Sequence, residues 1–277
     1  MPAIAEQRDM MGAFNDAPPW ERASQGSEEI HGTLLGLRQR DPVPTTRLLE
    51  SFGAALAGAV FGTPTLSSAS FVSPETGPII ALAPGRNIGS TRFAIAHQIG
   101  HLLDPDTQGA SPHCTLAEPE FDYRGGPRES FANAFAVYLL APKRAVNSQV
   151  GYSSVRTPEE LFDAAADVAR VFGLSAGAAL RHVLNCAEVR GSDFEDKINR
   201  ALGNEAWRGK RDTINHEVES AWAEDGALVA DALGDVPEWS VEAALKRPSA
   251  VRFSELTERA AVSGLLARSD ADALLKT

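Results

Sequence analysis

From Ser90 to Leu103 the chain presents a helix that cannot sit on a surface. Phe93, Ala94, Ile95, Ala96, Ile99, Leu102 and Leu103 make it apolar almost all round, so other elements have to be wrapped about it. Ser90 or Thr91 is placed to cap its start, and Asp104-Pro105 stops it, since proline disfavours helical geometry in the residue before it. Gly100 lets another backbone approach closely. Within this buried helix stand His97 and His101, four residues apart and therefore on one face.

The rest of the 277 residues supplies what could cover it. A helix is predicted from Thr45 to Gly62, with Leu48, Leu49, Phe52, Leu56 and Val60 near helical spacing. Two short apolar runs follow, Ala69–Val72 and Pro78–Leu82, and read as a small hairpin or edge sheet. Pro127 opens a helix with Phe131, Phe135 and Leu139 on one face, which Pro142 ends. Thr157-Pro158-Glu159-Glu160 is a capping box for a helix ending at Gly173, and Ser175 caps another to about Cys186.

The two ends read differently. Residues 1–44 are polar and mixed, with Pro18-Pro19 and Trp20 as the main apolar anchor, and are expected to be poorly ordered or peripheral. Residues 187–277 are rich in Ala, Leu and acids, with a capping box at Ser192 to Glu195 and breaks near Gly203, Gly226, Pro237 and Pro248. They read as a helical C-terminal extension, leaving 45–186 as the central domain. Trp207, Trp222 and Trp239 are either partner anchors or core packers, core packing being the default.

Charge and cysteine usage narrow the function classes. Lys+Arg 26 against Asp+Glu 37 gives a net charge of −11, and no basic patch is visible along the sequence, which argues against direct nucleic-acid binding. The Gly173 to Ser175 helix pair therefore reads as packing rather than as a DNA reader. The longest mostly apolar stretch, Phe52 to Phe61, is too short for a bilayer. Two cysteines, Cys114 and Cys186, make no disulfide framework and fit a reducing cytoplasm, the expected location.

Two imidazoles on one helix face can bind a single zinc ion about 2.0–2.1 Å from each nitrogen. Two core histidines satisfied by hydrogen bonds are the plainer alternative. Glu129 lies 28 residues beyond His101, at the start of the Pro127 helix, where it is either a third ligand or a carboxylate favoured by the helix dipole. Asn133, one turn later on the same face, is placed as a supporting partner.

These residues carry a resemblance. Arg92-Phe93-Ala94-Ile95-Ala96-His97-Gln98-Ile99-Gly100-His101-Leu102-Leu103, then Glu129-Ser130-Phe131-Ala132-Asn133-Ala134-Phe135-Ala136, together with Leu139-Leu140-Ala141-Pro142, resemble the ImmA/IrrE family of zinc metallopeptidases over roughly residues 45–186. The resemblance implies an α+β, mostly helical, zincin-like fold with a small sheet, to which the C-terminal extension is added. It implies Zn2+ as cofactor, His97, His101 and Glu129 as its ligands, and a helix-turn-helix repressor or antitoxin as the protein that is cleaved.

One position departs from the family pattern. Where a His-Glu-x-x-His peptidase has its general base, this chain has Gln98, which keeps the shape but has no protonation equilibrium near neutral pH. General acid–base help is worth ~10²–10⁴-fold, so this form is expected to be inactivated or weakened. The alternative is a natural pseudopeptidase that binds its regulator without cutting it.

Two further expectations attach to the site. Ile79, Ile80, Ala81 and Leu82 are candidates for an edge strand that pairs with an extended substrate. Cys114 is a candidate switch thiol whose thiolate would reach the metal, a surface thiol being the plainer reading.

Overall fold

The computed structural model describes residues 2–12, 17–38, 40–59, 66–73, 77–105, 113–116, 126–150, 157–187, 200–201 and 203–233. The candidate capping box at Ser192, Trp239 and the breaks at Pro237 and Pro248 lie outside them. The architecture is α+β and mostly helical, as expected, and its centre is α4, Ile88–Leu103. Asn87 caps this helix, its side-chain oxygen accepting from Ser90 N at 2.8 Å. The cap therefore lies three residues before the predicted Ser90, where an asparagine side chain reaches the third amide of the first turn. From Gly89 to Leu103 every residue but Ser90 is buried.

Helix α5, Gly126–Leu140, packs along α4 at the point where glycine was expected to matter. A Cβ on Gly100 would stand 3.0 Å from Ala132 Cα and 3.2 Å from the Phe135 side chain, so α5 or Phe135 would have to give by a few tenths of an ångström to admit one. Phe131 and Phe135 are fully buried on α5, their rings stacked with centroids 6.4 Å apart. Truncating either would cost about 3–5 kcal/mol.

The predicted helix over 45–62 is corrected. α3 covers only Thr45–Phe52, because Gly53 takes a left-handed conformation at φ 59 and ends it. The chain then forms β1, Ala55–Gly58. The expected hairpin is present as β2, Leu66–Ser73, against β3, Gly77–Leu82, paired antiparallel with Phe71 opposite Ile79. A fourth strand, β4, His113–Leu116, completes a sheet of order β1-β3-β2-β4.

That order corrects the expectation for Ile79, Ile80, Ala81 and Leu82. β3 is hydrogen-bonded on one side to β1 in parallel and on the other to β2, so its backbone has no free edge for a substrate. The edge on the far side of β2 is β4, which pairs with β2 alone among the described strands.

Residues 1–44 differ from their polar appearance. They contain α1, Pro2–Gly12, and α2, Pro19–Thr33, and α2 packs along α5. Arg22 is buried there, 3.6 Å from Asp104 and with its guanidinium 5.4 Å from the Phe131 ring centre. Arg8 donates to Leu102 O at 2.6 Å, meeting a carbonyl in the last turn of α4.

After α6, Lys143–Val150, the predicted capping box opens α7, Pro158–Phe172. Glu160 N donates to Thr157 Oγ1 at 3.2 Å, and Thr157 N to Glu160 at 2.9 Å. Ser175 caps α8, Ala176–Cys186, as expected. The extension adds α9, Glu205–Ala221, and α10, Ala223–Leu233. The break comes at Trp222 rather than at Gly226, whose amide donates to Trp222 O inside α10. Trp207 is buried against Phe162 with ring centroids 5.1 Å apart.

Candidate metal centre

His97 and His101 project from the middle and last turn of α4, and Glu129 from the first turn of α5. The close contact at Gly100 brings those two helices together, so residues 28 apart in sequence face one another. Glu129 Oε2 is 3.3 Å from His97 Nε2, and its Oε1 is 3.1 Å from His101 Nε2. The two imidazoles meet edge to face, ring centroids 4.6 Å apart and planes at 84°. All three ligand atoms lie within 4.8 Å of one another, the only such group of three or more His, Cys, Asp or Glu among the described residues.

These separations test whether the residues fit a metal. Ligand atoms about 2.0–2.1 Å from a tetrahedral ion lie roughly 3.3 Å from each other, close to both nitrogen–oxygen distances here. The donor set is two imidazole nitrogens and one carboxylate, leaving a fourth position for substrate or water. His97 and His101 are 0% and 1% exposed, whereas the Glu129 side chain is 25% exposed and marks the open side. The residues fit.

The electrostatics favour the ligand forms. Burial holds His97 below its ordinary pKa, against the pull of Glu129, so its imidazole is neutral and able to donate a lone pair. Burial by itself would raise the Glu129 carboxyl, but its bonds to His101 and His97 take it well below the usual carboxylate range. Asn133, one turn beyond Glu129, is buried and hydrogen-bonds the His97 ring.

Gln98 is fully buried, on the side of α4 that faces the sheet. Its Nε2 donates to Ser68 Oγ of β2 at 2.9 Å, and Ser70 Oγ donates to the Gln98 carbonyl at 3.4 Å. The sequence reading did not find these serines. The signal was present in the period-two pattern of Ser68 and Ser70, polar residues on one face of a strand laid against an apolar helix. Cys114 lies on β4, but its side chain is outside what the structure describes.

Residues 50–183 match the family model Peptidase_M78, described as the IrrE N-terminal-like domain. No curated protein matches the chain.

Proposed function

Residues 50–183 match the IrrE N-terminal-like domain of the M78 metallopeptidases, and on that footing we propose that the protein holds zinc and acts on a regulatory protein. The observation that carries the reading is the convergence of two imidazoles and one carboxylate at metal-ligand separations. His97, His101 and Glu129 would hold the ion, and Asn133 would steady His97 from behind. Zinc at such a site supplies a Lewis acid for a peptide carbonyl and for water.

The chain's own contribution to proton transfer is where this protein departs. Gln98 occupies the general-base position, and an amide neither takes up a proton from water nor returns one to a leaving amine. It keeps its place by donating to Ser68, so the cleft retains its shape while acid–base help is missing. Metal and protein binding are retained, and turnover is lowered by about 10²–10⁴-fold relative to a glutamate enzyme.

The family resemblance supports a helix-turn-helix repressor or an antitoxin as the protein bound. With β3 enclosed, the strand that would align an extended segment is β4, which pairs with β2 alone among the described strands. A second reading is a natural pseudopeptidase that holds its regulator uncut, and the burial of Gln98 against Ser68 favours it. We also infer a cytoplasmic location, supported by the cysteine usage; no described helix is long and apolar enough to cross a membrane.

One experiment tests the proposal. Gln98→Glu protein loaded with zinc is incubated with candidate helix-turn-helix repressors from the same genome, and cleavage is read by mass spectrometry. Cleavage supports a peptidase weakened at a single residue. Intact partner bound to the zinc-loaded protein supports the pseudopeptidase, and absence of stoichiometric metal overturns both.

A further inference from the structure

A second cluster of charge is assembled far from the metal centre. The loop joining α2 to α3 carries Arg38 and Arg40, and the first turn of α6 carries Arg144. These three arginines, with Asp41 and Ala145, line a cleft of about 590 Å³. α5 separates the two places: Glu129 is in its first turn and α6 follows its last, about 20 Å along the axis.

The described residues of the loop are held by hydrogen bonds. Gly36 takes a left-handed conformation at φ 62, and Leu37 N donates to His31 O at 3.2 Å. His31, buried on α2, donates from Nε2 to Asp41 O at 3.1 Å. Asp41 N donates to Arg38 O at 2.9 Å, and Arg38 N to the Asp41 carboxylate at 3.0 Å. The one acid in the cleft is therefore spent on a backbone amide of its own turn. Among the described residues no carboxylate pairs with the guanidinium of Arg38, Arg40 or Arg144, although the chain as a whole is strongly acidic.

The helix end adds to the same field. The amides of Arg144 and Ala145 precede the first bond of α6, from Val146 N to Pro142 O, and so have no carbonyl within the helix. Such amides, with the positive end of the helix dipole, favour an anion. Three guanidiniums against one carboxylate leave two positive charges, the complement of a phosphate dianion rather than of a single carboxylate. The volume falls within the range of small-molecule sites and leaves room for an organic group beside the phosphate.

We infer that the cleft between the α2–α3 loop and α6 is a binding site for a small organic phosphate, held by Arg38, Arg40 and Arg144. The site is independent of the metal centre and of what that centre cleaves or binds.

Calorimetry on the full chain at fixed ionic strength tests this, with inorganic phosphate and adenosine monophosphate as probes and adenosine as the neutral comparator. The expected result is saturable binding of both phosphates and none of adenosine. Arg38→Ala, Arg40→Ala and Arg144→Ala should each weaken binding about tenfold or more, the loss of one charge-assisted contact, without changing metal content. Absence of binding by both phosphates overturns the inference. So does binding that survives all three substitutions, which would place the anion elsewhere, the metal centre included. Selective binding of a glutamate-rich peptide in place of both phosphates would overturn it in favour of a protein-docking surface.

Discussion

Asp225, in the helical extension, closes the polar cage around Arg92 of the metal helix. Arg92 is 1% exposed, and its other donors meet Val43 O at 2.7 Å, Thr45 Oγ1 at 3.1 Å and Gly173 O at 3.1 Å. The Trp222 ring covers the guanidinium at 3.6 Å, and Trp222 Nε1 donates to Arg170 O at 2.9 Å. Burial lowers the Arg92 pKa to about 10, against the pull of Asp225, so it stays charged at neutral pH. One arginine thus ties α3, α4, the α7–α8 turn and α10 together.

The first prediction follows from that cage. Removing one partner of a buried pair leaves an uncompensated charge and costs about 3–5 kcal/mol. Asp225→Ala should therefore lower stability in urea unfolding by about 3 kcal/mol, the lower end because its side chain is 12% exposed. Cutting the chain after residue 187 should expose Arg92 and prevent cooperative folding, although the matched domain ends at 183. An unchanged unfolding midpoint for both would show that the extension is a separate unit.

Metal occupancy gives the second prediction. His97→Ala and His101→Ala should each abolish stoichiometric zinc measured by elemental analysis, since two remaining ligands do not fill a tetrahedral site. Zinc at about a hundred times its dissociation constant should stabilise the wild-type protein by about 2.7 kcal/mol and leave both variants unmoved. Equal stabilisation of His97→Ala would place the ion elsewhere.

Ser68 supports the third. With Ser68→Ala the Gln98 Nε2 donor loses its 2.9 Å partner inside the core, which costs about 1–3 kcal/mol. The Ser68 hydroxyl can also donate, so it should donate to the carboxylate that Gln98→Glu introduces, and that variant should fold and keep its metal. Adding Ser68→Ala to Gln98→Glu should then lower whatever turnover is regained, because the carboxylate loses its anchor. Unfolding curves for the single variant and turnover for the double variant check the two halves separately.

What the sequence made legible was local. Proline at Pro127, the capping box at Thr157 and the break at Asp104-Pro105 act on adjacent backbone, so those helix ends were readable. His97 and His101 were readable because helix periodicity fixes their common face, and Glu129 because a second motif placed it. β1 was missed because Ala55 to Gly58 continues an apolar spacing that fits a helix, and only the left-handed turn at Gly53 and the pairing with β3 decide otherwise. α2 was missed because Arg22 and His31 are buried through partners supplied from outside the helix, while Ser27 is satisfied by Ser24 O within it. The arginine cleft was missed for a related reason. Arg144 is more than a hundred residues from Arg40, and no patch exists until the fold joins them.

The last prediction concerns pH. His182 of α8 is fully buried, donates from Nε2 to Ala141 O at 2.6 Å and meets the Tyr138 ring edge to face. Burial lowers its pKa to about 4, against the smaller pull of that carbonyl, from an ordinary value of 6.5. Between those values the unfolded chain binds the proton that the folded chain refuses. Stability is therefore full above pH 6.5 and falls as the pH drops from 6.5 towards 4. The loss should reach about 2 kcal/mol at pH 5. His182→Gln keeps a donor for Ala141 O and does not titrate, so the stability difference between wild type and variant, measured in urea at pH 8 and at pH 5, should narrow by that amount. A difference that is the same at both pH values would show that His182 does not carry the acid sensitivity.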